Sequence, residues 1–336
     1  MKKNEQAHIS LIKGGTRSHI VIFLSVLLTM ACSQVKQTAP ISTGQSAYRH
    51  YSQALNYLTA DQLPSALDEI ERAIHINPDI STFYQLKGQI LSRMNKPEEA
   101  LQAYSKVLEF RSYNPVVLEQ MAYLHAGQGR FLQAAHLMKK VLAQAPEKNI
   151  LWLKVAEYYL QLDKLGFADN AVQSYRIRLN KENKPPDPEY FRMKGRIAYR
   201  RGEYKEVAEN LQKCLRSMQL PAEDLIILVK SLFLSGQNNR AYDTLTASGL
   251  SVLKECEVYF LRGWYYFTLR NYKDARRQLE LALQGDCDDV LIYFYLGKSY
   301  LRLNLPEKAR QMFDIYRQRS DKPELIKQLD EELHLE

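Results

Sequence analysis

The chain has 336 residues and a net charge of +8, with 46 % hydrophobic and 25 % charged residues. This composition is typical of a folded globular protein and excludes a disordered or collagen-like chain. Without the first 31 residues, 42 basic and 37 acidic side chains leave a charge of +5. That excess is too small to indicate nucleic-acid binding by itself.

The first 31 residues have the pattern of an export signal. Lysines and an arginine precede an apolar stretch over residues 20–28, which is too short to span a bilayer and is typical of the hydrophobic region of a signal peptide. The Ala31-Cys32 pair that follows resembles the end of a bacterial lipobox, although Thr29 stands where that motif usually has leucine. The resemblance implies that residues 1–31 are removed and that Cys32 carries a lipid.

A lipid at Cys32 predicts a protein held in the bacterial cell envelope. Ser33 follows the cysteine, as in lipoproteins that are sorted to the outer membrane and face the periplasm. A retained signal anchor and an ordinary cleaved signal remain alternative interpretations. Residues 32–46 are rich in Ser, Gln and Thr and predict a flexible tether.

From residue 47 onward the sequence repeats with a period of 34. Repeats that begin at 47, 81, 115, 149, 188, 222, 256 and 290 keep this spacing except after 149, where five residues are added. Small side chains at two positions of the repeat predict helix pairs that approach closely. Position 8 is occupied by Ala54, Gly88, Ala122, Ala156, Gly195, Val229, Gly263 and Gly297, and position 20 by Ala66, Ala100, Ala134, Ala168, Val207, Ala241, Ala275 and Ala309.

Position 15 of the repeat predicts the turn between two helices, because Gly, Asn and Asp tolerate the left-handed conformation that ends a helix. The residues there are Asp61, Asn95, Gly129, Asp163, Gly202, Gly236, Arg270 and Asn304. With these columns, residues 47–321 resemble the tetratricopeptide repeat family. The resemblance implies an all-α, right-handed solenoid of eight helix hairpins that acts as a binding scaffold.

The five added residues predict a division of the solenoid. Residues 181–187 are polar and proline-rich, and we expect a hinge loop between repeats 1–4 (47–180) and repeats 5–8 (188–321). Residues 322–336 predict a capping helix, because their apolar side chains fall on one stripe and a terminal repeat has no neighbour to cover it.

No motif in the sequence predicts catalysis. The HExxH, GxxxxGK[ST], GxSxG and CxxC patterns do not occur, and we find no candidate catalytic, metal or cofactor site. His125 stands where the repeat usually has an aromatic residue and is interpreted as a core or groove histidine. We therefore expect a protein that is not an enzyme, although an enzyme remains an alternative.

The second half of the chain carries a candidate partner-binding groove. The family resemblance implies that the first helix of each repeat lines the binding surface through positions 2, 5, 9, 12 and 13. In repeats 5–8 these positions and their neighbours are basic and aromatic, which favours an acidic or carboxylate-bearing protein or peptide. The predicted groove consists of Arg192, Arg196, Tyr199, Arg200, Lys230, Phe233, Phe260, Trp264, Phe267, Phe294, Lys298 and Arg302.

Two other interpretations of these residues stay open. The surface is also suited to an anionic polymer or polysaccharide, which would make the protein part of polymer export. Alternatively, the rings are wedged between repeats and the charges are solvated. The sequence does not identify a partner or an oligomeric state.

The repeat register also places two cysteines together. Cys256 is position 1 of repeat 7 and Cys287 is position 32, so the start of one helix and the end of its antiparallel partner bring them close. An exported protein lies in an oxidising compartment, and a disulfide between them is one expectation. Free thiols are the other, and Cys214 is expected to be a free thiol at a packing position.

Overall fold

The computed structural model describes residues 43–249, 251–320 and 327. The predicted export signal, the lipidation site at Cys32 and the predicted tether up to residue 42 lie outside the described residues. The predicted capping helix 322–336 also lies outside them, apart from Lys327.

Every regular element of the described residues is helical, which confirms the all-α prediction. Sixteen α-helices form eight antiparallel hairpins in this part of the chain, distributed over two compact units. The first unit ends at Phe110 and contains α1 (Thr43–Thr59), α2 (Leu63–Ile76), α3 (Ser81–Arg93) and α4 (Pro97–Phe110). The second unit begins at Arg111 and contains α5 (Pro115–Gly127), α6 (Phe131–Gln144), α7 (Leu151–Gln161), α8 (Leu165–Lys181), α9 (Pro188–Arg201), α10 (Tyr204–Leu215), α11 (Ala222–Leu234), α12 (Asn238–Thr244), α13 (Glu255–Thr268), α14 (Tyr272–Gln284), α15 (Leu291–Arg302) and α16 (Pro306–Arg319).

Two predicted boundaries differ from the structure. Residues 43–46 belong to α1, where a tether was expected, because a helix extends through polar residues once its buried face has begun at Ala47. The division between compact units falls after Phe110, between repeats 2 and 3. The loop 181–187 thus lies inside the second unit, and motion at this loop stays a prediction.

The small-residue columns have the packing role that the sequence predicts. All eight residues at position 20 are fully buried. At position 8, a Cβ added to Gly195 would lie 2.7 Å from Leu211, and one added to Gly263 would lie 2.7 Å from Leu279. Both leucines occupy position 24, so the first helix of a hairpin crosses the second where a large residue fills the space that glycine leaves.

The turn prediction at position 15 is confirmed in every repeat. All eight residues have a positive φ, from 53° at Asp163 to 77° at Gly236. Five of them carry a side chain, and a positive φ is a left-handed conformation that costs energy for most residues. The left-handed conformation at position 15 is therefore imposed by the tight connection between two antiparallel helices.

Repeat 6 is the irregular member of the series. Its second helix, α12, has only seven residues and continues as a π-helical turn over Leu245–Gly249. The sequence of this repeat is also atypical. Val229 stands at position 8, where the other seven repeats have Gly or Ala, and Ser248 stands at position 27. Among the described helices of all repeats, none is long and apolar enough to cross a bilayer.

Candidate partner-binding face

The structure brings the predicted aromatic residues of repeats 6–8 into one contiguous cluster. The rings of Phe233 and Trp264 stack with centroids 5.1 Å apart, and Phe260 lies 5.8 Å from the same indole. Tyr295 of α15 lies 4.5 Å from Trp264 and 5.2 Å from Phe267. The sequence analysis did not select Tyr295, although its position beside Phe294 at the start of repeat 8 indicated an aromatic pair.

Most of these rings are not available to a partner. Phe233, Phe260, Trp264 and Phe294 each expose 6 % or less of their surface. These four rings do not line an open groove as expected, because each packs against other side chains of the fold. Their burial makes them part of the core, where aromatic pairs contribute about 0.5–1.5 kcal/mol beyond the area that they bury.

Two of the predicted cations are neutralised within the fold. Asp224, at the start of α11, is fully buried and accepts hydrogen bonds from Arg192 at 3.1 Å and from Arg196 at 3.0 Å. Glu189 and Glu223 complete the network on either side. Because each arginine side chain is 15 % exposed or less, the network joins repeats 5 and 6 and leaves little charge for a ligand.

The acidic residues of this network hold both guanidinium groups in the charged form. Burial disfavours the charge of Arg192, but Glu189 and Asp224 outweigh that effect, and the pKa of Arg192 is raised. The same balance between burial and Asp224 raises the pKa of Arg196. Asp224 thus balances both arginines, and its loss would leave Arg192 with Glu189 alone and Arg196 with Glu223 alone.

Lys230 is a third predicted cation that the structure uses internally. Its ammonium group pairs with Asp289 and lies 5.4 Å above the Phe260 ring. Burial, and to a smaller degree the charge of Asp289, raises the pKa of the Tyr199 hydroxyl. Asp289 therefore joins the end of repeat 7 to Lys230 of repeat 6.

Five predicted residues are at least partly accessible and take no part in the ion pairs of Asp224 and Asp289. We call them the open strip: Tyr199, Arg200, Phe267, Lys298 and Arg302. Arg200 is 52 % exposed, and its nearest carboxylate oxygen, on Asp163, is 3.6 Å away. The Lys298 ammonium lies 5.1 Å above the Phe294 ring, and Arg302 is exposed at the end of α15. The strip keeps the basic and aromatic character of the predicted groove in fewer residues.

Repeats 3 and 4 contain a cavity that the sequence analysis missed. Its volume is about 550 Å³, and its walls come from α5, α6 and α7. His125 and His136 lie among apolar side chains there, and Leu132 is exposed at its edge. The replacement of an aromatic residue by His125 was the available signal, since a smaller ring leaves space in the hairpin.

The cysteines lie as the repeat register predicts. Cys256 and Cys287 are free thiols that line one cavity. Cys214 is fully buried in α10, and burial raises the pKa of its thiol to about 11. No set of three or more His, Cys, Asp or Glu side chains in the described ranges is arranged to hold a metal ion.

Helix hairpins in a 34-residue register, two in the first compact unit and six in the second, define a helical-repeat protein. Family models of the tetratricopeptide repeat match residues 81–114, 120–176 and 260–323. The chain therefore contains tetratricopeptide repeats in both compact units.

Curated relatives share the repeats over part of their length. A TPR repeat-containing protein of Methanocaldococcus jannaschii is 26 % identical over 190 residues, which are 55 % of this chain and 33 % of that protein. The human DnaJ homolog subfamily C member 3 is 22 % identical over 265 residues, which are 79 % of this chain and 48 % of that protein. The chain thus spans between 27 % and 52 % of the length of these and the other curated relatives that it matches.

A solved structure supports the same architecture. A tetratricopeptide repeat protein from Parabacteroides merdae superposes with a TM-score of 0.56 at 20 % identity, covering 76 % of this chain and 99 % of that one. At this level of identity the similarity shows the fold alone.

Proposed function

We propose that this protein is a tetratricopeptide scaffold that binds other proteins in the bacterial cell envelope, where a lipid at Cys32 anchors it to the outer membrane. The observation that carries the binding proposal is the open strip, which presents basic and aromatic side chains on the first helices of repeats 5, 7 and 8. Arginine forms two parallel hydrogen bonds with a carboxylate and also stacks on rings. An acidic or carboxylate-bearing segment of a protein is therefore the partner that fits the strip.

The polymer-binding alternative depended on a longer basic and aromatic ridge. Arg192, Arg196 and Lys230 are occupied by Asp224 and Asp289, and the largest rings are buried. An extended anionic chain needs repeated contacts along the face, whereas a short acidic peptide needs only a few. The remaining strip favours the peptide.

The proposal is tested first by capture in living cells. A photo-crosslinking amino acid placed at Arg200 or Arg302 should capture a specific protein, which mass spectrometry identifies. The same amino acid placed at Arg310, an exposed residue of α16, is the matched control. Equal capture from Arg310 would contradict a partner on the open strip.

The captured protein is then purified and its affinity is measured. The double variant Arg200→Glu/Arg302→Glu should bind at least about tenfold more weakly, which corresponds to ~1.4 kcal/mol. The double variant Arg216→Glu/Arg310→Glu makes the same change of charge at two exposed residues associated with second helices and should bind like wild type. Retention of wild type on an anionic polysaccharide column, without any captured protein, would favour the polymer alternative.

A further inference from the structure

The ends of the seventh hairpin place two thiols side by side. Cys256 lies in the first turn of α13, and Cys287 lies three residues beyond the end of α14. A Cβ added to Gly285 would lie 2.7 Å from the Cβ of Cys256, so the chain leaving α14 passes close to the start of α13. Both cysteines line the same cavity, and the neighbouring Cys256 contributes to the raised pKa of the Cys287 thiol. The fold therefore places both cysteines at the same end of this hairpin.

The two cysteines differ in access. Cys256 is buried, whereas Cys287 is half-buried. Both line a cavity of about 280 Å³. The same cavity is lined by the carboxylates of Glu257, Asp286, Asp288 and Asp289, with Lys254 as the basic residue of the lining. A reagent that enters the cavity therefore meets Cys287 in an acidic environment.

We propose that Cys256 and Cys287 form a reversible dithiol–disulfide modification site whose acidic cavity selects cationic or neutral disulfides as oxidants. The Cys287 thiolate attacks one sulfur of an oxidant R–S–S–R, and a mixed disulfide forms as one RS⁻ leaves and takes up a proton. The Cys256 thiolate then attacks the sulfur of Cys287, and the second RS⁻ leaves. Two protein thiols are oxidised to one disulfide, and one oxidant disulfide is reduced to two thiols.

Charge and burial both bear on the rate of this exchange. The thiolate is the attacking form, and burial together with the neighbouring Cys256 raises the pKa of the Cys287 thiol. Below that pKa the thiolate fraction rises about tenfold per pH unit, so oxidation should accelerate between pH 7 and pH 9. The carboxylates repel an anionic oxidant and attract a cationic one.

The bond would restrain a junction between repeats. It would close a ring around α13 and α14, and Asp289 follows Cys287 by two residues. Asp289 pairs with Lys230 of repeat 6, and its carboxylate accepts a hydrogen bond from the Leu291 amide at the start of α15. Oxidation should therefore raise the thermal midpoint of the chain, a readout that does not depend on any partner.

The test uses the reduced full-length chain and two oxidants at equal concentration, cystamine (cationic) and oxidised glutathione (anionic). After acid quenching, alkylation and digestion, mass spectrometry follows each cysteine separately, which keeps Cys32 and Cys214 out of the count. Wild type should form the Cys256–Cys287 disulfide at least about tenfold faster with cystamine. The variant Cys256→Ser should accumulate a cysteamine adduct on Cys287, because the second thiol is missing.

Two variants keep the proposal open to refutation. Asp286→Asn/Asp288→Asn removes two charges from the rim of the cavity without touching the thiols, and it should narrow the difference between the oxidants. Asn is well tolerated at position 286, where φ is 54°. Absence of a Cys256–Cys287 linkage in cystamine-treated wild type would overturn the site. Equal rates with both oxidants, or faster adduct formation on Cys256 in Cys287→Ser, would overturn the selection and the order of attack.

Discussion

The buried carboxylate of Asp224 pairs with Arg192 and Arg196, two of the cations that were predicted to line the groove. The spacing of Arg192 and Arg196 placed them on one face of α9, and the structure agrees. The sequence analysis did not consider the carboxylate that follows 28 residues after Arg196, at position 3 of the next repeat. Whether a charged helix face is open to a ligand depends on side chains of the neighbouring repeat, and a pattern within one helix does not contain that information.

Replacing Arg196 with Glu should destabilise the fold. The new carboxylate would face Asp224, which is fully buried, and Glu223. The variant breaks one of the two buried ion pairs of Asp224 and places a like charge beside it, which should cost ~3–5 kcal/mol in the free energy of unfolding. Urea denaturation followed by circular dichroism measures the change, and Arg302→Glu, at an exposed residue, should change stability by less than about 0.5 kcal/mol. Equal stability of the two variants would show that Asp224 does not depend on Arg196.

At the scale of helices, the sequence predicted connections better than ends. The turn at position 15 and the small residue at position 20 were correct in all eight repeats, because both are imposed by the crossing of two helices. The structure begins α1 at Thr43, within the stretch that was predicted to be a tether, since the polar residues 43–46 carry no apolar period that marks a helix. The sequence did not predict the π-helical turn after α12, although Ser248 indicated that this repeat is irregular.

The loop 181–187 is predicted to be the first site of cleavage in limited proteolysis. A hydrogen bond of 2.7 Å, which the Tyr175 hydroxyl donates to Asp187, restrains one end of the loop. Tyr175→Phe removes this bond and should speed the first cleavage about fivefold if the bond contributes ~1 kcal/mol. The time course of fragment masses with a non-specific protease measures the effect.

The control for this experiment is Tyr300→Phe, which removes a comparable hydrogen bond to Glu280 in other repeats. It should leave the rate of cleavage at 181–187 unchanged. The competing site is the connection at residues 111–114, which follows the boundary between the compact units. If the first fragments begin there, the predicted hinge is not the weakest connection of the chain.

For the whole molecule, the repeat columns predicted the class of fold but not its ligand. The columns at positions 8, 15 and 20 serve contacts between helices, and the same contacts are needed whatever partner binds. Of the twelve predicted groove residues, seven are buried or paired with Asp224 or Asp289, and the other five form the open strip. Some basic and aromatic side chains of this face stabilise the fold and do not contact solvent. The composition of the face therefore predicts a larger binding site than the structure leaves accessible.

Lipidation at Cys32 is the prediction that decides where the whole molecule acts. Metabolic labelling with a clickable fatty acid should mark the wild-type protein and leave Cys32→Ser unmarked, while Cys287→Ser keeps the label as a matched cysteine control. Each buried methylene of an acyl chain contributes about 0.8 kcal/mol to membrane binding, and more than one chain is needed for stable anchoring. Cys32→Ser should therefore also shift from the membrane fraction to the soluble fraction on cell fractionation. Equal labelling of wild type and Cys32→Ser would refute a lipid at this residue. The intact mass of the N-terminal peptide would then distinguish a retained signal anchor from ordinary cleavage.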